Sequence, residues 1–426
     1  MYITEAKLGG LKMKQTLFSR DFTLVVIGQI ISLFGNAVIR FALPLYLLNQ
    51  TGSSALYGTV MACAFIPAIL LSPIGGIVAD RVNKRNIMVI LDFFTAAVLF
   101  VFSLLLGSVN LVVLLTTVMM LLYGIAGAYQ PSVQASIPAL VSPEHFMEAN
   151  SVINTISSFA NLIGPVLGGM LYGAYGLEVV LLLCIVCFFL SAVMEIFIRI
   201  PFVKQASGGG ILKLVTGDFR ESFRFIRKEK PQIGRATLVV CGINLFLSAM
   251  IIVAVPYLVT EVLELGTESW ANTLYSFTQG ALAAGGLTGG ILAGVMGKRL
   301  SVKKAGGLIA AAAAAVFPIG LSLAFHLFDM GIYLVITVCC FGIMVLSTMF
   351  SVQMMSFVQA ETPGHLIGKV IAVILTISMC AQPLGNALYG ILFEVCQGFE
   401  YAVVFFAGGV SLVIALRAGR QFRELG

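Results

Sequence analysis

A short stretch near residue 80 occurs twice in this chain, and the second copy lies half a chain length after the first. Residues 75–85 read GGIVADRVNKR, a small-residue segment followed by a basic loop. The pattern Gly-Gly-Ile-x-Ala returns in residues 289–293, and Lys298 and Arg299 follow it at the same offset of 214 residues, where half of the 426-residue chain is 213. A repeat of this length indicates two copies of one structural unit.

Long apolar runs decide what that unit consists of. Hydrophobic residues make up 59% of the chain and charged residues only 10%, which is too little polar surface for a soluble globular protein of this size. A helix that crosses a bilayer needs about 20 apolar residues, and each half contains six such runs. The predicted spans are residues 22–48, 56–79, 87–107, 111–135, 149–173, 178–198, 234–258, 271–296, 305–327, 331–357, 369–393 and 400–416. The predicted fold class is therefore an all-α membrane protein with twelve transmembrane helices in two pseudo-symmetric six-helix bundles.

These spans divide the chain into five predicted segments. They are a cytoplasmic N-terminal segment (1–21), an N-terminal six-helix bundle (22–198), a cytoplasmic linker (199–233), a C-terminal six-helix bundle (234–416) and a cytoplasmic tail (417–426). Within the linker, apolar and basic residues alternate at helical spacing between residues 218 and 228. This pattern predicts an amphipathic helix at the membrane surface.

The distribution of positive charge predicts the orientation of the chain. Of the 25 Lys and Arg residues, 24 lie in the termini, in the loops after helices 2, 4, 6, 8 and 10, or within the first two residues of a span that follows such a loop. Short loops rich in Lys and Arg stay in the cytoplasm, so we expect both termini there, in a multi-pass protein of a bacterial plasma membrane. The net charge of +6 is then an orientation signal and gives no reason to expect nucleic acid.

The exception to this charge distribution is Arg40, inside helix 1. It shares one face with Gln29 and Asn36, because the three residues lie within about 40° of arc. Polar groups inside a bilayer are costly and usually face a protein interior or a watery cavity. Two interpretations of Arg40 are open: it lines a central cavity, or its long side chain extends to the outer interface.

The loop after helix 2 carries the first family resemblance. Residues 76–88 resemble the signature of the loop between helices 2 and 3 in the major facilitator superfamily, with Val78 and Asn83 as departures. The resemblance implies the major facilitator fold and a conformational latch, in which Asp80 lies against a helix N-terminus of the other half. The latch residues are Gly76, Asp80, Arg81 and Arg85. The alternative is a basic loop that serves orientation alone.

Helix 5 carries a second resemblance. Asn154 and Asn161 share one face with Gly164 and Gly168, and the run GPVLGG at residues 164–169 resembles the helix 5 motif of antiporters and drug exporters. Its motif residues are Gly164, Pro165, Gly168 and Gly169. The alternative is a proline kink with close helix packing and no meaning for transport.

The division of polar residues among the predicted spans fits the same family. Asn and Gln occur in spans 1, 4, 5, 7, 8, 10 and 11 and are absent from spans 3, 6, 9 and 12, which are the peripheral helices in the superfamily. Transporters of this kind bind substrate near the midplane between their halves. The substrate-binding residues that the resemblance implies are Gln29, Asn36, Arg40, Asn154, Asn161, Asn244, Gln279, Gln382 and Asn386.

Asp92 is the one carboxylate clearly inside a predicted span of the first half. It is a candidate proton site, and the alternative is an ion pair with Arg81 or Arg85. No metal site is predicted: Cys184 and Cys187 have the spacing of a metal pair but lie in an apolar helix, where cysteine acts as a small hydrophobe. No cofactor is expected either.

The predicted function is secondary active export of a bulky amphipathic small molecule by proton-coupled antiport. Residues 28–46 and 123–138 most resemble the superfamily branch of macrolide and enterobactin exporters. An uptake symporter of the same fold is the alternative, and a non-transporting membrane sensor or scaffold is a remote one. The sequence has no phosphate-binding loop, so we expect neither an enzyme nor direct use of ATP. The expected partners are the substrate, protons and lipid, with the protein as a monomer.

Overall fold

The computed structural model describes residues 19–200, 211–296, 305–363 and 366–423, without the side chains of residues 73, 75–81, 143, 211–216, 218 and 423. These residues form long helices and no strand. The twelve long helices are α1 (Arg20–Thr51), α2 (Ser54–Arg81), α3 (Lys84–Leu105), α4 (Leu111–Leu140), α5 and α6 (together Phe146–Ile196), α7 (Pro231–Val262), α8 (Glu268–Val295), α9 (Ala305–Ala324), α10 (Asp329–Glu361), α11 (Ile367–Val395) and α12 (Glu400–Arg423). The repeated basic pair Lys298 and Arg299 lies outside the described residues.

Ten helical segments of the described chain are long and apolar enough to cross a membrane. One of them contains both α5 and α6, and α8 completes the set of twelve. Large apolar side chains such as Leu182 and Leu384 point outward and are 64% and 68% exposed, as expected where lipid replaces water as the solvent. The chain is a multi-pass membrane protein, and the predicted fold class is confirmed.

Local signals set several helix ends. Ser19, Asn83, Asn110 and Thr267 each precede a helix, and each side chain accepts a hydrogen bond from a backbone N–H in the first turn. These caps satisfy N–H groups that have no partner within the helix. At the other end of α1, Gly52 takes a left-handed conformation with φ of 60°. Because Ser54 already starts α2, this turn reverses the chain within two residues.

A single glycine divides α5 from α6. The backbone stays helical on both sides of Gly176, which itself has φ of 76° and ψ of −178°. Residues with a Cβ atom rarely adopt this positive φ. The glycine therefore turns the chain from one helix into the next without a separate loop.

The packing repeats in the two halves, which consist of α1–α6 and α7–α12. Within the N-terminal half α1 packs on α5, α2 on α4, and α3 on α6; within the C-terminal half α7 packs on α11, α8 on α10, and α9 on α12. Contacts between the halves join α2 to α11 and α5 to α8. We call the end of the molecule where α1 begins and α12 ends the proximal end, and the opposite end the distal end.

A linker helix, Ile211–Arg224, continues as a π-helical turn to Glu229 and leads into α7. It contacts α11 and α2, and its Glu221 carboxylate lies 2.9 Å from the Lys369 ammonium of α11. Phe219 and Phe223 stack on its exposed face. The linker helix thus joins elements of both halves at the proximal end.

Candidate functional site

A cavity of about 610 Å³ lies between the two halves. Most of its wall comes from α1, α2, α4 and α5, and α7 and α8 close the opposite side. A second space of about 600 Å³ lies between the proximal parts of α5 and α8, and Asn154 lines both. The second space thus adjoins the central cavity at Asn154 and lies on its proximal side.

Arg40 is the charged residue in the wall of this cavity. Its guanidinium carbon lies 3.6 Å from the centre of the Tyr123 ring on α4, a cation–π contact of the kind worth about 0.5–2 kcal/mol. Among the described residues no carboxylate forms an ion pair with it. In this conformation the side chain turns into the cavity and does not extend to the outer interface.

Five of the predicted substrate-binding residues line the cavity together. They are Asn36, Arg40, Asn154, Asn161 and Gln279. The spacing on α1 and α5 places four of them on inward faces, and Gln279 is one turn after Tyr275 on α8. The Gln279 amide donates a hydrogen bond of 2.8 Å to the Tyr275 hydroxyl, which orients it at the cavity wall.

The other four predicted residues make bonds elsewhere in this conformation. Gln29 is fully buried and donates a 2.6 Å hydrogen bond to the Tyr129 hydroxyl. Asn244 donates to the Ser378 carbonyl oxygen at 3.0 Å and so joins α7 to α11. The amide of Gln382 donates to Asn386 one turn later, at 3.1 Å.

Aromatic rings form much of the wall, and the predicted set of binding residues did not include them. Tyr57, Phe65, Tyr123 and Tyr275 all line the cavity. Tyr275 stacks on Phe41 at 4.9 Å between ring centres, and Phe65 meets Tyr123 edge to face. Tyr123, Gln130 and Tyr275 stand out as polar positions within their helices, but Tyr57 and Phe65 have no distinguishing signal in a chain with 10% aromatic residues.

The distal end is closed by contacts between the halves. At α2 and α11, the Ser54 hydroxyl donates to the Gly390 carbonyl oxygen at 3.0 Å and the Ser53 hydroxyl to Glu394 at 3.0 Å. At α5 and α8, the Ser269 hydroxyl donates to the Gly173 carbonyl oxygen at 2.6 Å. These contacts separate the cavity from the distal surface.

The glycines of the helix 5 motif permit close packing. A Cβ atom on Gly164 would collide with Ala37 of α1, and one on Gly169 would collide with Ser276 of α8. Pro165 lines the cavity, and the helical dihedrals persist at this position. The predicted kink is thus not a break in α5, which continues to Gly176.

The structure gives only part of the predicted latch. Helix α2 extends through Gly76, Asp80 and Arg81, whose side chains lie outside the described part of the chain. Arg85 lies in the first turn of α3, where its backbone N–H donates to the Asn83 side chain at 3.1 Å. The latch therefore stays a prediction.

Asp92 is buried, with an exposed fraction of 2%. It accepts a 3.1 Å hydrogen bond from Ser32, and no ion pair joins it to Arg85 in the described structure. Glu195 of α6 is also buried and accepts a 2.8 Å hydrogen bond from Tyr129. The alternative of an Asp92–Arg85 pair is therefore not realised in this conformation.

Two symmetric six-helix bundles around a cavity form a known transporter architecture. The match of the sequence to a family model identifies the family. The family model of the Major Facilitator Superfamily matches residues 25–416. The chain belongs to this superfamily. It is thus a membrane transporter of small molecules and not an enzyme.

Among the relatives of this transporter is macrolide efflux protein A of Streptococcus pyogenes, which is 25% identical over 377 residues, covering 86% of this chain and 88% of that protein. The lysophospholipid transporter LplT of Photorhabdus laumondii is 27% identical over 47% of this chain and 49% of its own length. Both similarities are distant, so the substrate of this transporter does not follow from them.

Solved structures share the fold of this transporter. The nucleoside transporter NupG superposes with a TM-score of 0.72 at 14% identity, over 94% of this chain and 99% of that one. A bacterial homologue of the lysosomal transporter Spinster, in an inward-facing and unoccupied conformation, gives a TM-score of 0.69 at 14% identity, over 96% and 98%. At these identities the likeness concerns the fold alone.

Proposed function

We propose that this transporter exports a bulky amphipathic molecule, such as a macrolide-like compound, another drug or a siderophore, in exchange for protons. The observation that carries the proposal is Arg40, which turns into a large cavity between the halves without an acidic partner in the described structure. The similarity to macrolide efflux proteins in more than one organism supports the direction of transport. The helix 5 motif supports antiport.

The wall of the cavity suggests the chemistry of the substrate. A guanidinium offers several N–H donors to a carboxylate, phosphate or carbonyl group, and the rings of Tyr57, Phe65 and Tyr275 offer apolar surface. The volume of about 610 Å³ is in the range of sites for drug-sized ligands. We therefore propose a substrate with a large apolar body and an anionic or carbonyl-rich group, which binds Arg40 together with Asn36, Asn154, Asn161 and Gln279.

The conformation fits the step in which substrate enters from the cytoplasm. Contacts between the halves close the distal end, and a second space adjoins the cavity on its proximal side. The charge distribution of the loops supports a cytoplasmic proximal end, in the plasma membrane of a bacterium. The five predicted segments, including 22–198 and 234–416 as the two moving units and 199–233 as their linker, are part of this proposal, as is a monomer surrounded by lipid.

The test measures accumulation of a fluorescent amphipathic dye and of a labelled macrolide in cells that lack their own exporters. Export predicts that expression of the protein lowers accumulation, and that an uncoupler of the proton gradient abolishes this effect. Higher accumulation would instead establish uptake, the alternative for this fold. Arg420→Ala, which removes an exposed positive charge at the proximal end, is the control for Arg40→Ala.

A further inference from the structure

A cluster of buried polar side chains lies beside the cavity, inside the N-terminal half. We call Gln29, Ser32, Asp92, Tyr129 and Glu195 the carboxyl cluster; they come from α1, α3, α4 and α6. Each has an exposed fraction of 5% or less. Only Asp92 stands out in the sequence as a buried carboxylate, whereas Glu195 lies at a helix end.

Two separate groups of hydrogen bonds run through the cluster, one across α1, α4 and α6 and the other between α1 and α3. The Gln29 amide donates to the Tyr129 hydroxyl at 2.6 Å, and this hydroxyl donates to Oε1 of Glu195 at 2.8 Å. Ser32 donates to Oδ1 of Asp92 at 3.1 Å, and the two carboxyl groups interact electrostatically. Neither hydroxyl bonds the second oxygen of its carboxyl group, and the nearby Ser191 hydroxyl donates to the Gly28 carbonyl oxygen at 3.1 Å instead.

Three buried acceptor atoms in the cluster have no donor. They are Oε1 of Gln29, Oδ2 of Asp92 and Oε2 of Glu195. An unpaired buried polar atom is destabilising, and an unpaired buried charge is more so. The unpaired oxygen of Gln29 belongs to a neutral side chain that is also fully buried. The cluster therefore lacks a hydrogen-bond donor at Gln29 as well as at the two acidic residues.

No cation neutralises the cluster in the described structure. The charged residues on the helices that form it are Arg20, Asp21, Arg40, Lys84, Arg85 and Glu178. None of these forms an ion pair with Asp92 or Glu195. Toward the proximal end, Val25, Met88 and Val133 are fully buried and cover the cluster, which keeps bulk water from solvating two ionised carboxylates.

We propose that the carboxyl cluster is a proton-binding site, in which Asp92 and Glu195 take up protons from water. Each bound proton changes a carboxylate, which can only accept, into a carboxyl group that donates one hydrogen bond. Binding therefore removes a buried charge and supplies a donor to atoms that lack one. The proton returns to water when the carboxyl group ionises again.

The position of the cluster connects this site to the cavity. Leu33 follows Gln29 by one turn of α1, about 6 Å, and Gln130 follows Tyr129 on α4; both Leu33 and Gln130 line the cavity. The same two helices carry Arg40 and Tyr123. A change of protonation in the cluster thus acts on the helices that hold the substrate, an inference that rests on the proton exchange of the proposed function.

Infrared spectroscopy of the substrate-free protein in lipid nanodiscs tests the site directly, because a protonated carboxyl group absorbs apart from a carboxylate. We expect a buried carboxyl band at neutral pH that loses intensity in Asp92→Asn and Glu195→Gln and shifts in Tyr129→Phe. Glu178→Gln, an exposed carboxyl on the same helix as Glu195, should leave the band unchanged. Absence of the band, or its persistence in both cluster variants, would overturn the proposal.

The pH dependence of thermal stability gives a second readout. If the folded protein binds protons that it releases on unfolding, it becomes less stable as the pH rises. The melting temperature should therefore fall as the pH rises, and this fall should be smaller in Glu195→Gln. If sodium or calcium ions raise the melting temperature, and Glu195→Gln removes that effect, the site binds a metal ion and the proton proposal is wrong. Neither readout involves transport, so a negative result here leaves the export proposal to its own test.

Discussion

The carboxylate of Glu394 on α11 accepts a hydrogen bond of 3.0 Å from Ser53, the residue before α2. It also lies 3.3 Å from the backbone N–H of Ala55 in the first turn of α2. An acidic group at this position caps the helix and interacts favourably with its dipole. Here the acidic group comes from the other half of the molecule, so the cap is lost when the halves separate at the distal end.

Replacement of Glu394 should therefore favour the distal-open conformation. Loss of a helix cap costs about 1 kcal/mol, so Glu394→Ala should increase the ratio of open to closed molecules about five-fold. Distances between spin labels on the distal ends of α2 and α11 measure this ratio. Glu400→Ala is the control, because that carboxylate also lies at the distal end but bonds within its own turn, to the N–H of Gly398. An unchanged distance distribution in Glu394→Ala would contradict the role of the cap.

The crossing of α2 and α11 also depends on Gly58. A Cβ atom there would lie 2.8 Å from the Cα atom of Gly390 and would collide with the Asn386 carbonyl oxygen. Because both neighbours are backbone, Gly58→Ala should separate the helices and lower the melting temperature. Gly342→Ala is the control, since a Cβ atom meets nothing within 4 Å in the middle of α10 and alanine favours helix by about 1 kcal/mol. If the two substitutions changed the melting temperature equally, the close crossing of α2 and α11 would not contribute to stability.

Removal of the charge at Arg40 should impair transport without loss of protein from the membrane. A hydrogen bond to a charged group contributes about 1.5–3 kcal/mol, so Arg40→Ala should weaken substrate binding about ten-fold or more. Arg40→Lys should retain part of the affinity, because it keeps the charge and loses the planar contact with Tyr123. Dye binding to purified protein and accumulation in cells measure both effects. Normal transport by Arg40→Ala would remove this residue from the binding site.

The latch that the family resemblance implies can be tested at Asp80. If this latch stabilises the outward-facing conformation, Asp80→Asn should stop export, and spin-label distances should show more molecules closed at the distal end. Asp21→Asn is the control, since that proximal carboxylate accepts a hydrogen bond from the backbone N–H of Arg199 within the same half. Unchanged export by Asp80→Asn would mean that the basic loop serves orientation alone.

The twelve helices could be predicted from the sequence, but their ends could not. Hydropathy follows only the part of a helix that lipid surrounds, and this is why α2 extends past the predicted residue 79 to Arg81 and α12 past residue 416 to Arg423. The turn at Gly176 could not be predicted either. A gap between two apolar runs does not show whether a loop or a single residue joins the two helices.

The candidate site was predictable where polar residues share one face of a helix. This criterion places Asn36, Arg40 and Asn161 at the cavity. It does not distinguish a side chain that faces a cavity from one that bonds to a neighbouring helix, as Asn244 does. Glu195 was missed for a related reason: its partner Tyr129 is 66 residues away in the chain, and only the fold brings the two together.

At Gly176, α5 and α6 are joined directly, without a loop between them. Helix α5 contacts the C-terminal half through α8, whereas α6 packs at the periphery against α3. With one residue between them, the distal ends of α5 and α6 cannot move far apart, although rotation about the Gly176 dihedrals can change the angle between the two helices. A movement of α5 at the boundary between the halves is therefore expected to carry the distal end of α6 with it.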